Sequence, residues 1–512
     1  MPDKDKPGRA LISVFHKEGI AEVAQKLKEN GWEIISTGGT AKHLRENGIA
    51  VTEVSEITGF PEILEGRVKT LHPFVFGPIL AKNSADHARQ LEEFSLAKID
   101  LVIVNFYPFE AALKDKERGP DFMVENIDIG GPSMVRAAAK NFQHTIVVVE
   151  PADYGPVIDT LVKDGDISPA QRKELAARAF SYTSFYDSLI AGYFQENITG
   201  LPTYFNLAGR KHLDLRYGEN PHQKGALYIR DPRSPLKNFD KLQGKELSFN
   251  NILDLSMVYE VLNWFADDGP FSVIVKHQNP CGAALAASQE EAFQQALAGD
   301  PQSAFGGIVG FNRPLDGQTA LAMKQIFFEV IVAPGFSDEA LDILKKKKDL
   351  RLIKASLGFQ EAIDVKVVPG GFVWQERDNA LVDRSQFQLK TSRPLREKEE
   401  QDAAFGWKLI RFVKSNAIII VKDRMLIGVG AGQMSRVEAV EIAIKKSRFP
   451  LAGAVLVSDA YFPFADSIGL AAAQHIEVLV EPGGSVRDEE VIAAAEKHGL
   501  SLLFTGMRHF RH

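Results

Sequence analysis

The chain has 512 residues, 45% of them hydrophobic, a length that suggests about three or four compact units and cores that need no disulfide or metal. Sixty basic side chains against 67 acidic ones leave a formal charge of −7, which excludes the basic footprint of a nucleic-acid or anionic-membrane binder. Cys281 is the one cysteine, so no intrachain disulfide can form. No apolar run reaches the roughly 18 residues that a membrane span requires, and the polar start MPDKDKPGRA lacks the apolar core of a secretory signal. The expectation is a soluble, cytoplasmic protein.

In chain order, Arg9 to Val14 reads as a strand. Ile20, Val23, Ala24 and Leu27 then repeat at helical spacing, and that helix stops near Gly31. Trp32 to Ser36 is a second strand, followed by TGGT and a short helix ending near Gly48. Leu101 to Asn105 and Thr145 to Val149 are further apolar strands. Short apolar strands separated by amphipathic helices predict a parallel α/β sheet covered on both faces. Ser168, Pro169 and Gln171 spell a capping-box helix start. Leu175, Ala179, Tyr182, Tyr186, Leu189 and Tyr193 then form one stripe of a long helix that ends before Asn197. ITGLP beyond it reads as a linker, so two domains are expected, 1–199 and 200–512.

The second domain reads as mixed α+β in two parts of similar size. Phe271 to Lys276 is a strand running into the polar loop HQNPCG, and a helix starts near Gln289. Asn416 to Val421 and Met425 to Val429 form a hairpin across Lys422, Asp423 and Arg424, and GAGQ opens a helix over Val437 to Lys445. Ala454 to Val457 is another strand, leading into SDAYFPF. The run Lys345 to Lys348 reads as a solvated helix face.

Several strings carry chemistry. STGGT (Ser36 to Thr40) lies between a strand and a helix, where glycines admit close approach and free amides attract phosphate oxygens. An ordinary turn reads the same string equally well. In GRVKTLHP, an extended segment would point Arg67 and Lys69 to one side, beside Thr70; a surface charge pair is the plain alternative. NFYPF places Tyr107 at a strand's carboxyl edge, where ligands collect in open sheets, although a core tyrosine fits as well. NIDIGGP sets Asp128 before two glycines, and RAAAKN carries Lys140. In the second half, LRYGENPHQ, VIVKHQNPCGAA, VKSNAI, GAGQMSR and the closing RHFRH succeed one another; Lys276 and His277 stand together at a strand end, where loops bear chemistry.

Taken with SVFHKEGI, the N-terminal strings resemble the inosine-monophosphate cyclohydrolase domain of the bifunctional purine-biosynthesis family. The later strings resemble its aminoimidazole-carboxamide ribonucleotide transformylase domain. The resemblance spans about Ala10 to His512. It implies a methylglyoxal-synthase-like parallel α/β domain, followed by an α+β domain of two cytidine-deaminase-like subdomains. It further implies a phosphate cradle of Ser13, Lys17, Ser36, Thr37, Gly38, Gly39, Arg67 and Thr70, with Lys69, Tyr107, Asp128 and Lys140 around the reacting groups.

In the second domain it implies Lys276 and His277 flanking formyl transfer, with His277 as proton acceptor and Asn416 holding the formyl group. Arg216 and Tyr217 would engage the nucleotide, Phe462, Arg508 and His512 would lie around the nucleotide and folate sites, and Glu329 is a doubtful ligand contact. The implied cosubstrate is 10-formyltetrahydrofolate, no catalytic metal is expected, and a homodimer is implied. A nucleotide-sensing module built on the N-terminal cradle is the other reading of that domain, but it leaves Lys276 and His277 without a purpose. A zinc deaminase needs H-x-E with C-x-x-C, which one cysteine cannot supply.

Overall fold

The computed structural model describes residues 8–196, 200–380 and 384–512, and the chain divides into two compact units. The first comprises Met1–Arg210 with Arg230–Pro232, the second Lys211–Ile229 with Arg233–His512. The linker expected at ITGLP begins at Ile198 and Thr199, outside the described residues.

The first unit is built on a five-stranded parallel sheet. Its order is Thr52–Glu53, Glu33–Ser36, Arg9–Ser13, Leu101–Val104, Ile146–Val148. The last two reach full burial along their length, as their unbroken apolar runs require when helices cover both faces. Connections leave Arg9–Ser13 toward opposite sides, so the strand order reverses between it and Leu101–Val104. A crevice opens at the carboxyl ends of such a pair.

The long helix Pro169–Gln195 starts with the capping box of Ser168 and Gln171. It buries Leu175, Ala179, Tyr186 and Leu189 against the sheet core, with Tyr182 and Tyr193 half-buried beside them. Each fully buried aliphatic side chain of this kind contributes about 1.5–3 kcal/mol.

The second unit holds a twelve-stranded mixed sheet. From one edge it runs Gln388–Leu389, Ser501–Phe504, Val478–Glu481, Val455–Ser458, Ile418–Lys422, Met425–Gly430. It continues through Asn279–Leu285, Phe271–Lys276, Ile308–Phe311, Val330–Ala333, Arg351–Lys354 and Asp240–Gln243. The two halves repeat one pattern. Each has a leading helix (Phe249–Trp264 or Glu397–Ile410), a two-stranded hairpin, a helix (Gln289–Gly299 or Arg436–Lys446), and then parallel strands joined by helices. Met425–Gly430 meets Asn279–Leu285 antiparallel at the centre, with Ala284 opposite Met425, so the halves are related by an approximate twofold axis.

Alternation along the strands sends Val273 and Val275 to one core and Ile274 to the other. The leading helices cover the first face, and the remaining helices cover the second.

Two expectations are corrected here. HQNPCG is not a loop: a strand resumes at Asn279, leaving only His277 and Gln278 as the turn of a hairpin. Lys345 to Lys348 lies in the turn beyond Asp338–Leu344 and is not a helix face. There, Lys347 is half-buried and donates to the carbonyls of Met323 (3.2 Å) and Ile326 (2.5 Å).

Candidate active sites

The carboxyl ends of the two central N-terminal strands open into a pocket of about 720 Å³. Ser13, Lys17, Thr37, Gly39, Arg67, Lys69, Thr70, Tyr107 and Asp128 all line it. The helix Gly38–Glu46 starts at its wall, and Gly38 there has φ +52, a left-handed conformation that suits glycine. A Cβ on Gly38 would stand 3.3 Å from Lys69 Nζ, so the amine lies over the turn. Thr37 Oγ1 donates to Glu62 Oε1 at 2.8 Å. Lys17 bonds Val14 O and reaches Thr40 Oγ1 at 3.1 Å. Burial first, and the charge of Lys69 second, lower the Lys17 pKa. Two ammonium groups held this close favour an anion between them.

Arg67 and Lys69 do reach one pocket, though not by extension. Leu64–Gly66 is a single 3-10 turn closed by an Ile63–Val68 bridge, and Arg67 itself has helical dihedrals. Arg67 pairs with Glu125 across the rim.

Asp128 sits just before the helix Gly130–Lys140, and Gly131 N–H donates to its Oδ1 at 2.8 Å. A Cβ on Gly131 would fall 2.6 Å from Asp128 Oδ2, so glycine is what admits the carboxylate there. Tyr186 Oη accepts from Asp128 N–H at 2.8 Å and donates to Asn126 O at 3.2 Å. Burial raises the Asp128 pKa, opposed by backbone N–H groups of Gly131, Tyr107 and Gly130 and by the charge of Lys69. A carboxyl so placed can hold and release a proton nearer neutrality than an ordinary aspartate.

Two members of the expected set fall elsewhere. Ser36 is wholly buried and donates to Ile12 O at 2.6 Å, tying two parallel strands together. Lys140 ends its helix, about 15 Å along the axis from Gly130 at 1.5 Å per residue, and is exposed away from the pocket lining. Asn105, quoted in the sequence only as part of NFYPF, organises the crevice. Its Oδ1 accepts from Phe15 N–H (2.6 Å) and His16 N–H (3.0 Å), and its amide donates to Tyr154 Oη (3.0 Å). A polar residue directly after a buried strand was the available signal.

In the second unit, Lys276 ends its strand and donates from Nζ to Phe305 O at 2.6 Å. His277 and Gln278 both have positive φ, +52 and +58, as a two-residue hairpin turn demands. Asp254, on the leading helix, clamps that turn: Oδ2 accepts from His277 N–H (3.2 Å) and Oδ1 from Gln278 N–H (2.6 Å). This leaves the His277 ring exposed to solvent.

Asn279 Nδ2 donates to His277 O (3.2 Å), and its Oδ1 accepts from Lys414 N–H (3.0 Å), which joins the turn to the segment carrying Asn416. Asn416 Oδ1 accepts from Arg436 Nη2 at 2.8 Å, and its amide donates to Gln433 O and Met434 O. Asp254 and Asn279 are the residues that motifs alone do not reveal. Their roles depend on partners distant in sequence.

The remaining expected residues divide. Strand register sets Val275 opposite Ile308 and Ile308 opposite Val330, so Lys276 and Glu329 share one end of the sheet. The Glu329 carboxylate is already engaged there by buried Arg351 at 2.7 Å. Arg216 and Tyr217 lie by the start of the leading helix, where Phe249 N–H donates to Tyr217 O at 3.3 Å. Phe462 is a correction: its ring is 1% exposed within the core, while Tyr461 and Phe464 on the same loop are exposed. Arg508 and His512 are exposed on the closing tail.

The profile of the AICARFT/IMPCHase bienzyme family matches residues 138–446, and that of the MGS-like domain matches residues 19–133. Relatives described as bifunctional purine biosynthesis protein PurH align over nearly all of both chains. That of Caldicellulosiruptor saccharolyticus is 47% identical over 98% of this chain and 99% of its own. That of Caldicellulosiruptor bescii is 48% identical over 98% and 99%. The Aquifex aeolicus relative is 47% identical over 98% and 100%. The chain belongs to the AICARFT/IMPCHase bienzyme family. As a member of that family it carries an MGS-like N-terminal domain, the parallel sheet whose switch point bears the first pocket. No helix of the described residues is long and apolar enough to cross a membrane.

Proposed function

We propose that the N-terminal pocket closes the purine ring and that the His277 turn, with the Asn416 segment, transfers the formyl group. The protein performs the last two steps of inosine-monophosphate synthesis. It formylates 5-aminoimidazole-4-carboxamide ribonucleotide with a folate cosubstrate, then closes the ring with loss of water. The cosubstrate is taken as 10-formyltetrahydrofolate, and the enzyme as a cytoplasmic homodimer; the family resemblance of the sequence supports both.

In formyl transfer, the exocyclic amine attacks the formyl carbon, the carbon–N10 bond of the folate breaks, the amine gives up a proton, and the departing N10 takes one up. An amine conjugated to a carboxamide is a weak nucleophile, so a neutral imidazole at His277 accepts that proton as attack proceeds. Lys276 and Asn416 stabilise the oxyanion, a role in which one donor is typically worth about 10²–10³ in rate. In ring closure, the carboxamide nitrogen attacks the formyl carbon and water leaves. The reaction is intramolecular, so holding the nucleotide's phosphate in the Lys17–Thr37–Gly39–Arg67 cradle selects the reactive conformer. Lys69 faces the developing alkoxide, and Tyr107 and Asp128 move protons.

The observation that carries this reading is the presence of two separate polar constellations, one in each compact unit. His277→Ala is expected to abolish formyl transfer and spare cyclisation of supplied formylated nucleotide, and Lys69→Ala to do the reverse. Both rates are followed by ultraviolet absorbance. Loss of both activities in a folded His277→Ala protein would sink the two-site assignment.

A further inference from the structure

Exposure alternates along the closing tail: Arg508, Phe510 and His512 are exposed, His509 is buried and Arg511 half-buried. It is stitched to the rest of the second unit by its backbone. His509 N–H donates to Asp459 O at 3.0 Å, Ser415 N–H donates to Arg511 O at 2.8 Å, and Arg511 N–H donates to Ser415 Oγ at 3.0 Å. Ser415 is the neighbour of Asn416, so the tail and the formyl-holding segment are paired directly.

His509 is the tail's only inward ring, and both of its nitrogens are engaged. Nδ1 stands 2.5 Å from Asp378 Oδ2, Nε2 stands 3.2 Å from Arg411 Nη2, and the ring lies 4.8 Å from that of Trp407. A guanidinium only donates, so Nε2 is the acceptor and Nδ1 carries the proton toward Asp378. Arg411 is itself immobilised. It donates to Asp378 O (3.3 Å) and Ala380 O (3.0 Å) and lies 3.8 Å over the Trp264 ring. It also caps the helix Glu397–Ile410, five residues before Asn416.

We propose that His509 is a positioning residue for formyl transfer. As a neutral imidazole locked between Asp378 and Arg411, it sets where the adjacent Arg508 meets the nucleotide. The inference rests on the proposed function, with Arg508 in contact with substrate. Losing a hydrogen bond to a charged partner costs enough to shift binding about tenfold.

In the full-length enzyme, His509→Ala is expected to raise the nucleotide KM of formyl transfer about tenfold. Its kcat, its folate KM and the ring-closure rate should remain within about twofold of the parent. His509→Asn, whose amide replaces the Nδ1 donor, is expected to restore most of the loss. An unchanged nucleotide KM in His509→Ala, alongside a raised one in Arg508→Ala, overturns the proposal and leaves the assignment of the site standing. An unchanged KM in Arg508→Ala removes that assignment, and the proposal with it. Equal damage to kcat and both KM values, without rescue by asparagine, marks bulk support and also overturns it. Should His509→Ala fail to fold, Asp378→Asn decides: a raised nucleotide KM supports positioning, and an unchanged one refutes it.

Discussion

Glu481 is a buried carboxyl of the second unit whose charge is costly. It is wholly buried at the end of its strand. Its Oε2 accepts from Phe462 N–H at 2.5 Å, while Oε1 has no partner among the described residues. Burial pushes its pKa up to about 8, against the pull of that N–H and of Arg436 and with a push from Asp488. The folded protein therefore binds a proton here that the unfolded chain releases near its ordinary value of 4.5. Stability from this group is present below that value and is lost as pH rises toward about 8. Glu481→Gln should accordingly match the parent's Tm in acid, gain on it steadily through neutrality, and hold a constant advantage above pH 8. A pH series of melting curves checks this; a gap independent of pH would place the ionised form in the folded state throughout.

Legibility in the sequence also varies residue by residue. The cradle residues that line the pocket could be named because the three short strings that carry them, SVFHKEGI, STGGT and GRVKTLHP, resemble those of the family. Ser36 and Phe462 could not be placed, because a strand end or a loop leaves open which of two neighbours faces the site: Thr37 lines the pocket and Ser36 does not, Tyr461 is exposed and Phe462 is not.

Among the elements, the two hairpin turns of the second unit are a natural control for each other. Asp402 clamps Asp423 N–H (2.9 Å) and Arg424 N–H (2.5 Å) as Asp254 clamps His277 and Gln278, and all four turn residues have positive φ. Each carboxylate lies on the leading helix of its half, and burial raises the pKa of both. Removing either clamp leaves two turn amides unpaired, at roughly 1.5–3 kcal/mol for bonds to a charged group. Asp254→Ala and Asp402→Ala are therefore expected to lower stability by similar amounts. Only Asp254→Ala should depress the kcat of formyl transfer well beyond what the lost stability explains. Denaturant titrations beside steady-state rates measure both, and equal rate losses would count against a special role for the His277 turn.

The hairpin over Met425 can be read from its flanking apolar runs, whereas its twin reads as a loop. HQNPCG shows no apolar alternation, and its turn is held by a carboxylate 23 residues upstream that no local pattern reveals. Close packing adds a second non-local demand. A Cβ on Gly282 would lie 1.9 Å from Ala296 O, so the strand beyond the turn needs glycine for the approach of a helix it has not yet reached.

At the scale of the whole molecule, the two proposed sites belong to units with their own cores, one around the parallel sheet and two flanking the twelve-stranded one. Lesions in one unit should then be complemented by the other in trans. Equal amounts of Lys69→Ala and His277→Ala proteins, each unable to complete the conversion alone, are expected to produce inosine monophosphate together after a lag in which formylated nucleotide accumulates. Failure of the mixture, with each partner active in its own half-reaction, would mean the intermediate never leaves the subunit that made it. Fold class was accessible from strand and helix alternation. The shared architecture of the two halves came instead from the family resemblance, which implied two cytidine-deaminase-like subdomains, because their own strings differ while the topology is kept.

The two matching turns also differ in sequence. Lys276 and Lys422 end matching strands, each amine donating to backbone carbonyls, but the next residue is His277 in one half and Asp423 in the other. Two positions under the same conformational constraint thus carry different side chains, one proposed for formyl transfer and the other without an assigned role in chemistry. A saturation survey of both would separate the demands of shape from those of reactivity: residues tolerant of left-handed backbone, such as asparagine and glycine, should pass selection at 423 and fail at 277.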